Sequence, residues 1–145
     1  TRNHSSAASD VYKRQEMAYE NLTSHQKHIQ DLKSFMKEEL EKIDQRINFN
    51  GETSPEKSLY TVLNVCFPAD VCNSMLLFSL DIHGIAASGG SACSSGSNQG
   101  SHVLAELPHQ ENCQSVRFSF SRFNTQEDVE FTIEKIRSII NHGIK

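Results

Sequence analysis

Apolar residues fall at Ala18, Leu22, Ile29, Leu32, Met36, Leu40, Ile43 and Ile47, and residues 16–47 contain neither Gly nor Pro. Steps of three, four or seven predict one long amphipathic helix, roughly 45 Å from end to end. Asn50, Gly51 and Pro55 close it. A helix of that length exceeds what a small domain needs and suits a link between two lobes. Residues 58–67 (SLYTVLNVCF) then alternate, with Leu59, Thr61, Leu63, Val65 and Phe67 on one face. That pattern, rich in β-branched and aromatic side chains, predicts a strand. Past Pro68, Val71, Met75, Phe78 and Ile82 return to helical spacing, and Gly84 stands where that helix should stop.

Residues 85–87 suit a brief strand, and residues 102–107 a helical turn stopped by Pro108. SVRFSF, residues 115–120, alternates as a second strand. Thr125 and Asp128 form a capping box for a last helix, whose stripe is Val129, Ile133, Ile136 and Ile140 and which ends before Gly143. The expected fold class is α+β: a small mixed sheet covered by helices, with a long N-terminal interdomain helix. Residues 16–50 are read as the linking helix and 51–145 as the small domain. Residues 1–15 show no hydrophobic period, and DVYKRQ (10–15) back-translates to a stretch resembling the end of a transposon-based sequencing adaptor. A non-native tail is expected there, with the reading frame cut upstream.

Length and charge narrow the classes. The chain has 145 residues, 14 Lys+Arg against 18 Asp+Glu, a net charge of -4. Such a balance offers no footprint for polyanions, so nucleic acid is not an expected partner. No apolar run is long enough to span a membrane and no signal peptide is visible, so a cytoplasmic protein is expected. The four cysteines, at 66, 72, 93 and 113, lack C-x-x-C or zinc-site spacing. Reduced thiols and no metal are therefore expected. Histidines 25, 28, 83, 102 and 109 are read as solvated or structural.

Chemistry concentrates at Cys93. From 88 to 101, ten of fourteen residues are Ser or Gly, which gives a thiol access and reach, and backbone N–H groups there could favour the thiolate. A phosphate-cradling role is the weaker reading, since GxxxxGK[ST] is absent and no Lys follows. A buried, unreactive Cys93 stays open as the plainer reading of this segment.

The segments SLYTVLNVCFP, LLFSLDIHGIAASGGSACSSGSNQGSHVL and SVRFSFSRFNTQED together resemble the C-terminal part of the NifS/IscS-type cysteine desulfurases, enzymes of the aminotransferase class V group. The likeness covers about residues 17–140. It implies the C-terminal domain of a pyridoxal 5'-phosphate-dependent transferase, with the cofactor held by a large domain missing from this chain. By the same resemblance Cys93 collects the sulfur of L-cysteine as a persulfide, releasing L-alanine. Arg117 binds the substrate carboxylate and Asn64 lines the pocket. The full-length enzyme is implied to be a homodimer handing sulfur to an iron-sulfur scaffold or another acceptor protein. A chain without the cofactor's lysine is expected to be inactive alone. The competing reading is a cofactor-free sulfur carrier or interaction module that uses Cys93. Arg122 is expected in a structural ion pair.

Overall fold

A computed structural model describes residues 4–72, 75–89, 104, 106 and 113–143. Its first two helices are α1, His4–Glu20, and α2, Leu22–Ile43. The single helix expected over 16–47 is thus two, and helical backbone begins within the segment expected to be a tail. Asn21 explains the break: its Nδ2 donates to the Met17 carbonyl at 2.8 Å, and its own carbonyl accepts from Ser24 Oγ at 3.0 Å. Side chains here compete with the backbone ladder. At the other end Asp44 is extended (φ -154°, ψ 124°), and its carboxylate accepts from the Arg46 backbone N–H and guanidinium. α2 therefore stops at Ile43, short of the expected Ile47.

Among the described residues four strands follow: β1, Asn48–Phe49; β2, Val62–Pro68; β3, Ser88–Gly89; and β4, Cys113–Ser119. They lie in the order β1-β2-β4-β3, and every pairing is antiparallel. The α+β layering stands, and the strand pairings among the described residues are all antiparallel. β2 and β3 point the same way only because β4 sits between them, which splits a strand–helix–strand crossover. One sheet face carries Leu63, Val65 and Phe67 from β2 with Val116 and Phe118 from β4, all buried. α2 contributes Ile29, Leu32, Met36 and Leu40 to the same core. The last helix, α4, Gln126–Gly143, adds Val129, Ile133, Ile136 and Ile140. Burying branched side chains at this density, at about 1.5–3 kcal/mol each, is what holds the layers together.

The capping box forms as expected: the Asp128 N–H donates to Thr125 Oγ1 (3.3 Å) and the Thr125 N–H to Asp128 Oδ2 (3.0 Å). The helix after β2 differs. α3, Leu76–Ile82, buries Leu76 and Leu80; of the expected stripe Val71 is buried ahead of the helix, whereas Met75, Phe78 and Ile82 face outward. Gly84 ends it with φ +76°, a left-handed conformation that glycine adopts without cost.

Lys33 is the one buried charged side chain among the described residues. Its Nζ donates to Ser58 Oγ and the Leu59 carbonyl, both at 2.9 Å, and so ties α2 to the approach to β2. Burial pushes its pKa below the usual lysine value, and Lys37 adds repulsion.

Candidate functional site

Alternation divides the two long strands cleanly. With Leu63, Val65, Val116 and Phe118 facing the core, Asn64, Ser115 and Arg117 stand on the opposite face. Antiparallel register sets Asn64 directly across from Arg117, and Cys66 across from Ser115. Two of the three candidate residues are thereby brought together as cross-strand neighbours, whose Cβ atoms are about 5 Å apart. Arg117 is exposed, and its guanidinium makes no hydrogen bond or ion pair with any described residue. A guanidinium exposed on an ordered strand can hold an anion through two parallel hydrogen bonds.

Cys93 lies outside the described residues, as does most of the Ser/Gly segment. The start of that segment is placed. β3 sets Ser88 opposite Arg117 on the edge away from Asn64. Gly89 precedes Cys93 by four positions in the sequence. The expected turn at 102–107 also falls largely outside the described residues, and the short strand is Ser88–Gly89, just after the expected 85–87.

Two residues that sequence reasoning passed over join the site. Asn50, read only as a helix stop, donates through Nδ2 to Asn64 Oδ1 at 2.9 Å and to Ser115 Oγ at 3.0 Å. Its backbone N–H also donates to the Asn64 carbonyl, at 2.9 Å. Next to them the thiols of Cys66 and Cys113 are joined as a disulfide, their Cα atoms 5.6 Å apart. That corrects the expectation of reduced thiols. Cys113 lies opposite Pro68 and Cys66 opposite Ser115, which puts the two cysteines diagonally on one face, within bridging range. Cys72, in contrast, is a free and buried thiol, its pKa pushed up to about 11 by desolvation. A thiol so placed is a poor nucleophile at neutral pH.

Arg122 stacks over the Phe123 ring, 4.7 Å from its centroid, and makes no ion pair with a described residue. His28 Nε2 meets the Asn124 carbonyl at 2.9 Å and His83 Nδ1 the Ser79 carbonyl at 2.7 Å. A cleft of about 380 Å³ opens between the end of β4 and the start of α4, lined by Gly84, Ile85, Phe120, Asn124 and Asp128 among others; Asn64 and Arg117 do not border it. No described lysine stands on any strand: they occupy α1, α2, α4 and the connection before β2.

The sequence profile of the Aminotransferase class-V family matches residues 12–131. A cysteine desulfurase of the IscS type from Clostridium botulinum is 32% identical over 127 residues, which is 86% of this chain and 32% of that protein. Another, from Archaeoglobus fulgidus, is 43% identical over 88 residues, covering 59% of this chain and 23% of its own. Among solved structures, a NifS-like protein superposes with a TM-score of 0.68 at 27% identity, covering 88% of this chain and 31% of that one. The chain spans about a third of the length of the curated relatives it matches. No described helix is long and apolar enough to cross a membrane.

Proposed function

The chain belongs to the Aminotransferase class-V family, and from that premise we propose that it serves as the substrate-carboxylate and sulfur-accepting part of a cysteine desulfurase. The observation that carries this reading is the register at Arg117: Asn64 flanks it on one strand, and Ser88, which leads into the Cys93 segment, flanks it on the other. The guanidinium holds the α-carboxylate of L-cysteine through a fork of two hydrogen bonds. Asn64 lines the same pocket. Cys93, as thiolate, attacks the substrate's sulfur; the carbon–sulfur bond breaks with its electron pair going to the β-carbon, which takes up a proton to become the methyl group of L-alanine, and the sulfur remains on Cys93 as a persulfide; pyridoxal phosphate, when bound, would supply the electron sink for this cleavage. A thiol that must collect sulfur at one place and deliver it at another is served by a Ser/Gly tether.

Pyridoxal phosphate belongs, on this proposal, to a domain joined to this chain, as the resemblance to the NifS/IscS-type enzymes implies. Residues 1–15 as a tail, 16–50 as the link and 51–145 as the C-terminal domain carrying the cysteine segment are part of the same proposal, as are a dimeric parent enzyme, a cytoplasmic setting and a sulfur-acceptor partner such as an iron-sulfur scaffold.

The test uses the full-length protein containing this chain. Cys93→Ala should abolish alanine production from L-cysteine while leaving the cofactor's absorbance intact. Arg117→Lys keeps the charge but loses the fork, so KM for cysteine should rise about tenfold. Wild-type turnover by Cys93→Ala would overturn the assignment of the sulfur acceptor. An unchanged KM in Arg117→Lys would overturn that of the carboxylate clamp.

A further inference from the structure

A primary amide has a donor end and an acceptor end, and what one end binds decides what the other presents. Asn50 spends both hydrogens of its NH2 group, one on Asn64 Oδ1 (2.9 Å) and one on Ser115 Oγ (3.0 Å). Asn64 Oδ1 is thereby engaged. Because the amide is planar, Nδ2 of Asn64 is turned away from Asn50, on the face that carries Arg117, and it has no partner among the described residues. Asn50 is itself fixed by its backbone N–H, which donates to the Asn64 carbonyl at 2.9 Å. Gly51 turns the chain just after it with φ +83°.

We propose that Asn50 is a positioning residue, which by holding the carbonyl end of Asn64 points that residue's NH2 at the substrate carboxylate, as a donor beside the Arg117 guanidinium. This rests on the desulfurase reading above and names how its pocket is oriented. The opposite arrangement would set a carbonyl oxygen beside Arg117. That oxygen would occupy the guanidinium and repel the incoming carboxylate. Asn50 touches no substrate; it acts through Asn64.

In the full-length enzyme, Asn50→Asp converts the donor to an acceptor, and Asn64 must then turn its NH2 toward position 50. Since the carboxylate is held alike before and during reaction, KM for cysteine should rise about tenfold or more with kcat within about twofold. Selective 15N-asparagine labelling supplies an independent readout. Adding L-alanine, which shares the carboxylate, should shift the Asn64 NH2 signals and leave those of Asn50 in place. Should Asn50→Asp fail to fold, Asn64→Asp replaces the donor nitrogen by oxygen at constant shape, and KM should rise likewise. An unchanged KM in the soluble variant, or NH2 signals of Asn64 that show contacts to Ser115 and do not respond to L-alanine, would overturn the proposal. If Arg117→Lys raises KM while Asn50→Asp does not, this inference falls and the desulfurase reading stands; if neither moves KM, the clamp itself falls.

Discussion

Removing one half of the box at the start of α4 measures how much of this fold is set by local hydrogen bonding. Thr125→Ala deletes the hydroxyl that accepts from the Asp128 N–H, leaving that helix-end donor to water. Asp128→Ala deletes the acceptor for the Thr125 N–H, together with an acid in the first turn. Both residues are exposed, so water compensates in part, and each loss should fall near the lower half of the capping range, about 0.5–1 kcal/mol. With an unfolding entropy of roughly 0.3 kcal/mol/K for a chain of this length, each variant should melt about 2–3 °C lower. Each bond orients the partner of the other, so the double variant should lose less than the two singles together, by a few tenths of a kcal/mol. Thermal melts of the parent, two singles and the double, followed by circular dichroism, give all four corners of the cycle. Thr125→Ser should restore most of the loss. A Thr125→Ala protein melting within half a degree of the parent, or strict additivity, would refute the reasoning.

On α3, Leu80→Ala should cost about 2–5 kcal/mol, because Leu80 is fully buried, and Phe78→Ala about 0.5 or less, because Phe78 is 56% exposed; equal losses in denaturant titrations would return the helix to its outward stripe. Alkylation without prior reduction should leave Cys66 and Cys113 unlabelled, and reduction should lower stability by up to about 4 kcal/mol, the chain entropy restricted by a bridge spanning 47 residues; labelling of both before reduction would remove the bridge. Cys72 holds its proton longer when folded than when unfolded, so its contribution is complete below pH 9.0 and is lost as pH rises toward about 11. Cys72→Ala should flatten the fall in stability over that window, and identical slopes in urea unfolding at pH 8.5 and 10.5 would count against the buried thiol.

What could be read in advance follows the range of the interaction. α4 was legible in full, since Thr125, Asp128 and its four-residue stripe all signal within the helix. β2 and β4 showed themselves by alternation, and with them the outward face of Arg117. α3 did not, because Met75, Leu76, Leu77 and Phe78 are apolar all round and only the sheet decides which of them are covered. The break at Asn21 carries neither Gly nor Pro; it comes from a side chain competing for a carbonyl one turn back. Asn50 and Ser115 are 65 positions apart, as Cys66 and Cys113 are 47, so their meeting depends on strand register that no local pattern encodes. The family likeness located Cys93, Arg117 and Asn64 by motif, and the register then explains why the last two are neighbours.

The place of β4 between β2 and β3 sets the order of synthesis against the order of assembly. β2 and β3 leave the ribosome first, yet neither pairs with the other, and each must wait for the strand that runs from Cys113 to Ser119. Until then only the two-residue match of β1 with β2 is available, and Leu63, Val65 and Phe67 have no cover from α4. A nascent chain stalled before residue 113 would hold unpaired strand edges and an apolar face that α2 covers without α4, features that chaperones bind and that aggregation recruits. Committed folding of this sequence is therefore a late event, triggered by its final third.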